Sequence, residues 1–244
     1  MAERAAKYRL HVDAALAVGA AVALSQGQAH YLGTVLRLGP GATVLLFNGR
    51  DGEWRAEIAE LSRRGGVAVA VAETRAQTAP PDIELLFAPL KKARLDMLVE
   101  KATELGAARL RPVLTRRTNA ERVRTDRLRA QAVEAAEQCG ALSVPEIAEP
   151  ARLDALLAGW DPARALHFCN ERLAGAAPGP FAPPPAALLI GPEGGFDAEE
   201  AEALRRHGFV HPIALGPRIL RAETAAIAAL TLWQAAVGDW RGGA

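Results

Sequence analysis

Five short apolar runs, Ile83–Ala88, Leu110–Leu114, Ala165–Cys169, Ala187–Ile190 and Pro212–Leu215, read as strands and are separated by stretches of helical pattern. Ile83–Ala88 is of the type buried on both faces. After it, Leu90, Leu95, Leu98, Val99, Ala102 and Leu105 recur at helical spacing and stop at Gly106. A second helix is expected over Thr125–Cys139, with Thr125 as N-cap and Gly140 as its stop. Shorter or later helices are expected near Leu153–Leu157, over Ala198–His207 and over Ala222–Val237. Strand and helix alternating in this way require an α/β fold whose parallel sheet is covered on both faces. The last helix is apolar on more than one face, which fits a partner as well as a core.

The preceding residues, 8–72, follow another rule. Short β-prone runs lie between turn signals at Gly39-Pro40-Gly41, Asn48-Gly49-Arg50-Asp51-Gly52 and Gly65-Gly66. Thr43–Phe47 and Trp54–Leu61 flank the second turn as hairpin arms, and Val67–Ala72 is a further strand. Closely spaced short strands predict a small β-barrel over 1–74. Residues 75–81, RAQTAPP, read as a linker to an α/β domain over 82–244. The apolar run 14–24 is too short to span a bilayer and reads as strand-turn-strand around Gly19. Ser25-Gln26-Gly27-Gln28 has the S-x-x-Q pattern of a helix cap.

Lys+Arg number 29 and Asp+Glu 28, so net charge points to no class of partner. Its distribution is more informative: residues 91–130 hold twelve Lys/Arg against five acids, a local net of +7. That is the electrostatic footprint of a nucleic-acid face or a solvated helix face. Cys139 and Cys169 match no metal or redox spacing, which fits a reducing, cytoplasmic compartment. The five histidines show no ligand spacing on one helix, so no metal is expected.

Two glycine-containing loops follow strands. In 188-LLIGPEGGFDAEE-200 the strand runs into Gly191-Pro192-Glu193-Gly194-Gly195, and Asp197 with Glu200 forms a capping pair for the next helix. Ligands of open α/β sheets sit beyond such strand ends. The loop lacks the Lys-Ser/Thr of a phosphate-binding loop, and Glu193 would repel a phosphate, so a neutral or cationic ligand suits it better. In 215-LGPRILRAET-224, Arg218 and Arg221 beyond a strand end form a site for an anion or a carbonyl edge, and Glu223 opens or caps the last helix.

IGPEGGF at 190–196 followed by LGPRILRAETA at 215–225 resembles the paired signature of the RsmE-type small-subunit ribosomal RNA methyltransferases, of the SPOUT class. His30, Val35-Leu36-Arg37 and Leu46-Phe47-Asn48-Gly49 are similar to that family's PUA-like RNA-binding barrel. The runs 98–106 and Glu137–Gly140 also agree. Ala141 and Thr118 depart from it, where an arginine and a serine are usual, and put those RNA contacts in doubt.

The resemblance implies a C-terminal trefoil knot, S-adenosylmethionine as methyl donor, S-adenosylhomocysteine as product, and N3 of a small-subunit rRNA uridine as acceptor. It implies a cytoplasmic homodimer without membrane attachment, acting on RNA within the assembled subunit. Cofactor residues would be Leu189, Ile190, Gly191, Gly194, Gly195, Leu215, Gly216, Ile219 and Leu220. Uridine N3 reacts only once its proton leaves. Arg221 and Arg218 would stabilise the resulting anion, and Glu193 or Glu223 would accept the proton. Arg37, Arg116, Arg117, Arg122 and Arg124 would hold RNA. The competing readings are a SPOUT enzyme acting on transfer RNA or a ribose 2′-hydroxyl, a non-catalytic RNA-binding protein, and a generic nucleotide-binding enzyme.

Overall fold

The structure is a computed structural model that describes residues 8–118, 123–170, 173, 175–177 and 179–241. The chain forms two compact units. One comprises Met1–Ala79 with Ala136–Val144, the other Pro80–Ala135 with Pro145–Ala244.

The first unit is built on β1 (Arg9–His11), β2 (Ala21–Leu24), helix α1 (Gln26–His30), β3 (Thr43–Phe47), β4 (Glu53–Ser62) and β5 (Gly65–Arg75). The strands lie in the order β1-β3-β4-β5-β2, antiparallel except for β1 beside β3. Bulges between β4 and β5 bend this long pair over a core that includes Leu10, Val22, Leu46 and Ile58. The hairpin turn is set by Asn48, whose side-chain oxygen accepts from the Arg50 and Asp51 amides at 2.9 Å. The Ser25–Gln28 capping box forms in both directions. Around Gly19 only the second expected strand exists: the turn (φ +80°) leads into β2, while residues 14–16 are not a strand and Leu16 instead donates its amide to Asp51.

One buried charge organises this unit. Glu53 accepts from Arg9 Nε at 2.6 Å, Arg75 Nη2 at 2.7 Å and Thr74 Oγ1 at 3.0 Å. Burial works against its carboxylate, but the bonds from Arg75, Arg9 and Thr74 outweigh it and hold the pKa low. Arg9 also donates to the carbonyls of Ala136 at 2.6 Å and Ala141 at 2.7 Å. The second of these bonds uses backbone, so it is indifferent to the alanine at 141.

The second unit runs β6 (Ile83–Phe87), α2 (Lys92–Glu104), β7 (Arg109–Leu114), α3 (Thr125–Cys139), β8 (Glu146–Ile147), β9 (Ala151–Arg152), α4 (Leu153–Ala158), β10 (Ala165–Cys169), β11 (Ala186–Ile190), α5 (Ala198–Arg205), β12 (Val210–Ile213) and α6 (Ala222–Val237). The sheet order is β12-β10-β11-β6-β7-β8, with β9 beside β7, and each pairing is parallel. Every residue of β6 and β11 is buried, as strands with both faces covered must be. On the α5 side Leu86, Leu166, Phe168, Leu189 and Leu204 share one core. Trp233 of α6 is fully buried and donates its ring N–H to the Ala182 carbonyl at 3.0 Å.

Two expected caps differ. Leu128 bonds to the Arg124 carbonyl, so Arg124 holds the cap position of α3, and the Thr125 hydroxyl turns to Glu149 at 3.0 Å. The N-cap of α6 is Arg221, and Glu223 lies inside the first turn without a capping bond, where its charge still complements the helix dipole.

Candidate functional site

The C-terminal ends of β10, β11 and β12 converge on a cavity of about 400 Å³ within the second unit. It is the place the strand-end rule designates, with out-of-order neighbours β11 and β12 flanking β10. Ile190, Gly191, Gly195, Leu215, Gly216, Ile219 and Leu220 line it, as do Glu193, Arg218 and Arg221. The two motif loops, some twenty residues apart in sequence, are therefore walls of one cavity.

Local chemistry explains the first wall. The Gly195 amide donates to the Pro192 carbonyl at 2.9 Å, closing a tight turn that leaves Gly195 at φ +67°. Phe196 then folds back onto Gly191 so closely that a Cβ there would lie 2.5 Å from its ring. Asp197 and Glu200 form the expected capping box and start α5. In the second wall Gly216 has φ +106°, and Ile219 is 76 % exposed at the cavity.

Two expected cofactor residues are elsewhere. The Leu189 side chain is fully buried in the core against α5, and Gly194 does not line the cavity but gives its carbonyl to Arg117. The wall residues that escaped the sequence reading include Arg94 of α2, and Cys169 and Asn170 at the end of β10. Burial pushes the Cys169 thiol up to about 12, so it is a neutral wall and not a nucleophile.

The charged groups sort by partner. Arg94 pairs with Glu193 and lies 3.7 Å from Glu223 Oε1. Glu223 is buried, and its Oε2 has no hydrogen-bond partner among the described residues. The side chains of Arg218 and Arg221 have neither hydrogen-bond nor ion-pair partners among the described residues, so their charge remains available to a ligand.

The basic segment is more neutral than its composition. Arg109 and Arg111 pair with Glu84, Arg127 with Asp96, Arg124 with Asp126, and Lys101 with Glu100 and Glu104. Arg116 pairs with Asp197 and Glu199 of the motif loop and α5. Arg37 is exposed in the first unit at φ +56°, and Arg122 lies outside the described residues. The Thr118 hydroxyl accepts from the Thr115 amide at 2.9 Å, the local role a serine would fill equally well.

A parallel sheet with this cavity at its strand ends, beside a small β unit, fits an α/β RNA methyltransferase with an N-terminal PUA-like domain, and comparison with known proteins shows that class. Residues 76–234 match the RNA methyltransferase domain family and residues 24–70 the RNA methyltransferase PUA domain family. Ribosomal RNA small subunit methyltransferase E of Rickettsia conorii is 30% identical over 91% of this chain and 93% of its own. The protein of the same name from Synechocystis is 32% identical over 91% and 76%. A putative methyltransferase from Legionella pneumophila, solved with bound SAM, superposes with a TM-score of 0.85 at 32% identity, covering 95% of this chain and 98% of that one. Ribosomal RNA small subunit methyltransferase E from Neisseria gonorrhoeae, bound to S-adenosyl methionine, gives 0.84 at 27% identity over 96% and 99%. The chain belongs to the ribosomal RNA small subunit methyltransferase E family.

Proposed function

We propose that this protein methylates N3 of one uridine in 16S ribosomal RNA, with S-adenosylmethionine as donor. The observation that carries the reading is a cavity with a glycine-rich wall on one side and two unpartnered arginines on the other. The cofactor fits this donor set. Gly195 and Gly216 leave backbone without side chains on the wall, and Ile190, Leu215 and Leu220 offer apolar contact for adenine. Bound there, S-adenosylmethionine supplies an electrophilic methyl group and is converted to S-adenosylhomocysteine.

The chain's own residues do the rest. In this reading Arg221 and Arg218, both on the cavity wall, stabilise the uridinate charge that collects on the carbonyls flanking N3. Glu193 is engaged by Arg94, which occupies it. Glu223 keeps one unbonded oxygen, yet it does not line the cavity. Neither carboxylate is thus both free and at the wall.

A homodimer is part of the proposal: Ile227 and Leu232 on the second face of α6 remain only half-buried. Among the described residues no helix is long and apolar enough to cross a membrane, and we place the protein in the cytoplasm with its assembled-subunit substrate. Mass spectrometry of small-subunit rRNA from a deletion strain tests the reading. One N3-methyluridine should disappear and return on complementation, and an unchanged modification profile would overturn the substrate.

A further inference from the structure

Arg116 and Arg117 carry charge in the loop after β7, where RNA contact is the expected role. Their partners tell another story. Arg117 Nη1 donates to the Gly194 carbonyl at 2.9 Å, in the middle of the turn that forms the cavity wall. The Arg116 amide donates to Glu200 Oε1 at 2.7 Å, and its guanidinium pairs with Asp197 and Glu199. Glu200 is the same carboxylate that closes the α5 capping box through the Asp197 amide. The Thr115–Thr118 turn, closed by the Thr118 amide to the Thr115 carbonyl at 3.1 Å, holds both arginines in position.

The turn 192–195 is therefore held from two sides. Arg94 grips the Glu193 side chain from α2, and Arg117 grips the Gly194 backbone from the β7 loop. A glycine-rich turn has more conformations to lose than any other, and each tether reduces that loss when a ligand binds. We propose that Arg117, assisted by Arg116, is a positioning residue that holds the 191–197 loop in its ligand-ready form. This rests on the cofactor occupying the cavity described above. The two guanidinium groups are about half exposed, with side-chain exposures of 56% and 52%, so they add little to global stability and their effect is local.

The test is calorimetry of S-adenosylmethionine binding to the full chain, wild type against Arg117→Met, Arg117→Lys and Arg116→Met, alongside thermal unfolding without ligand. Loss of one charge-assisted bond predicts a dissociation constant about 5- to 15-fold higher for Arg117→Met. Recovery should be partial for Arg117→Lys, which keeps a donor but loses the planar fork, and the unliganded melting temperature should not change. RNA binding is measured in parallel as a function of salt. Unchanged cofactor affinity in Arg117→Met, with weaker RNA binding and a shallower salt slope, would overturn the proposal and return both arginines to the RNA face. A cofactor loss matched by a lowered melting temperature would also overturn it, showing a merely structural role. Failure of the wild type itself to bind S-adenosylmethionine would count against the cavity assignment instead.

Discussion

Alanine at Gly191 is expected to abolish measurable S-adenosylmethionine binding and to lower the melting temperature. A Cβ at this position would meet Phe196 Cε2 at 2.5 Å and Cδ2 at 2.9 Å, well inside contact distance. Phe196 can give way only into the cavity it lines. It is 8% exposed and packs edge-to-face on Phe168 at 4.8 Å between centroids. Overpacking of this kind costs about 1–3 kcal/mol, which for a chain of this size lowers the melting temperature by about 2–4 °C per kcal/mol. The larger consequence is local, because Phe196, Gly191 and Phe168 are all cavity wall. Gly194→Ala is the control: its Cβ would meet only Arg117 Cδ at an ordinary 3.8 Å. Thermal unfolding and calorimetry on the pair decide the matter. A Gly191→Ala protein that melts and binds like wild type would show that the ring can move aside.

Arg221→Ala is expected to reduce single-turnover methyl transfer to small subunits by about 10²–10³, the usual effect of losing one donor aimed at developing negative charge. Cofactor affinity should change at most a few-fold. The side chain has no partner among the described residues, so its removal strands no buried group there and the fold should survive. Equal losses in turnover and in cofactor affinity would place the arginine against the cofactor rather than the base.

What the sequence revealed about the site was what neighbours in sequence can encode. The capping pair Asp197–Glu200, the turn at Gly195 and the cap at Ser25 each involve residues at most three apart, and all three are present. The strands were legible for the same reason, through their apolar runs. Arg94 was not, because its bond to Glu193 spans 99 residues of sequence and follows no pattern. Cys169 and Asn170 were missed for a related reason. Their strand was found, but its place between β11 and β12 is a property of sheet order. The charge count over 91–130 misled in degree: it could not register that Glu84, Glu146, Asp197 and Glu199, all outside the segment, come back to meet its arginines.

Arg9 and its bonds to the Ala136 and Ala141 carbonyls have a practical side. The first unit is discontinuous in the gene, borrowing nine residues from beyond the point where the second has begun. A fragment ending at Ala79 would keep Glu53 and its arginines but lose the acceptors that fix Arg9 in place. Anyone wishing to graft this RNA-binding module onto another enzyme, or to study it alone, therefore has no single scissors cut that yields it whole. A circular permutant or a fusion carrying the 136–144 stretch would be the portable form.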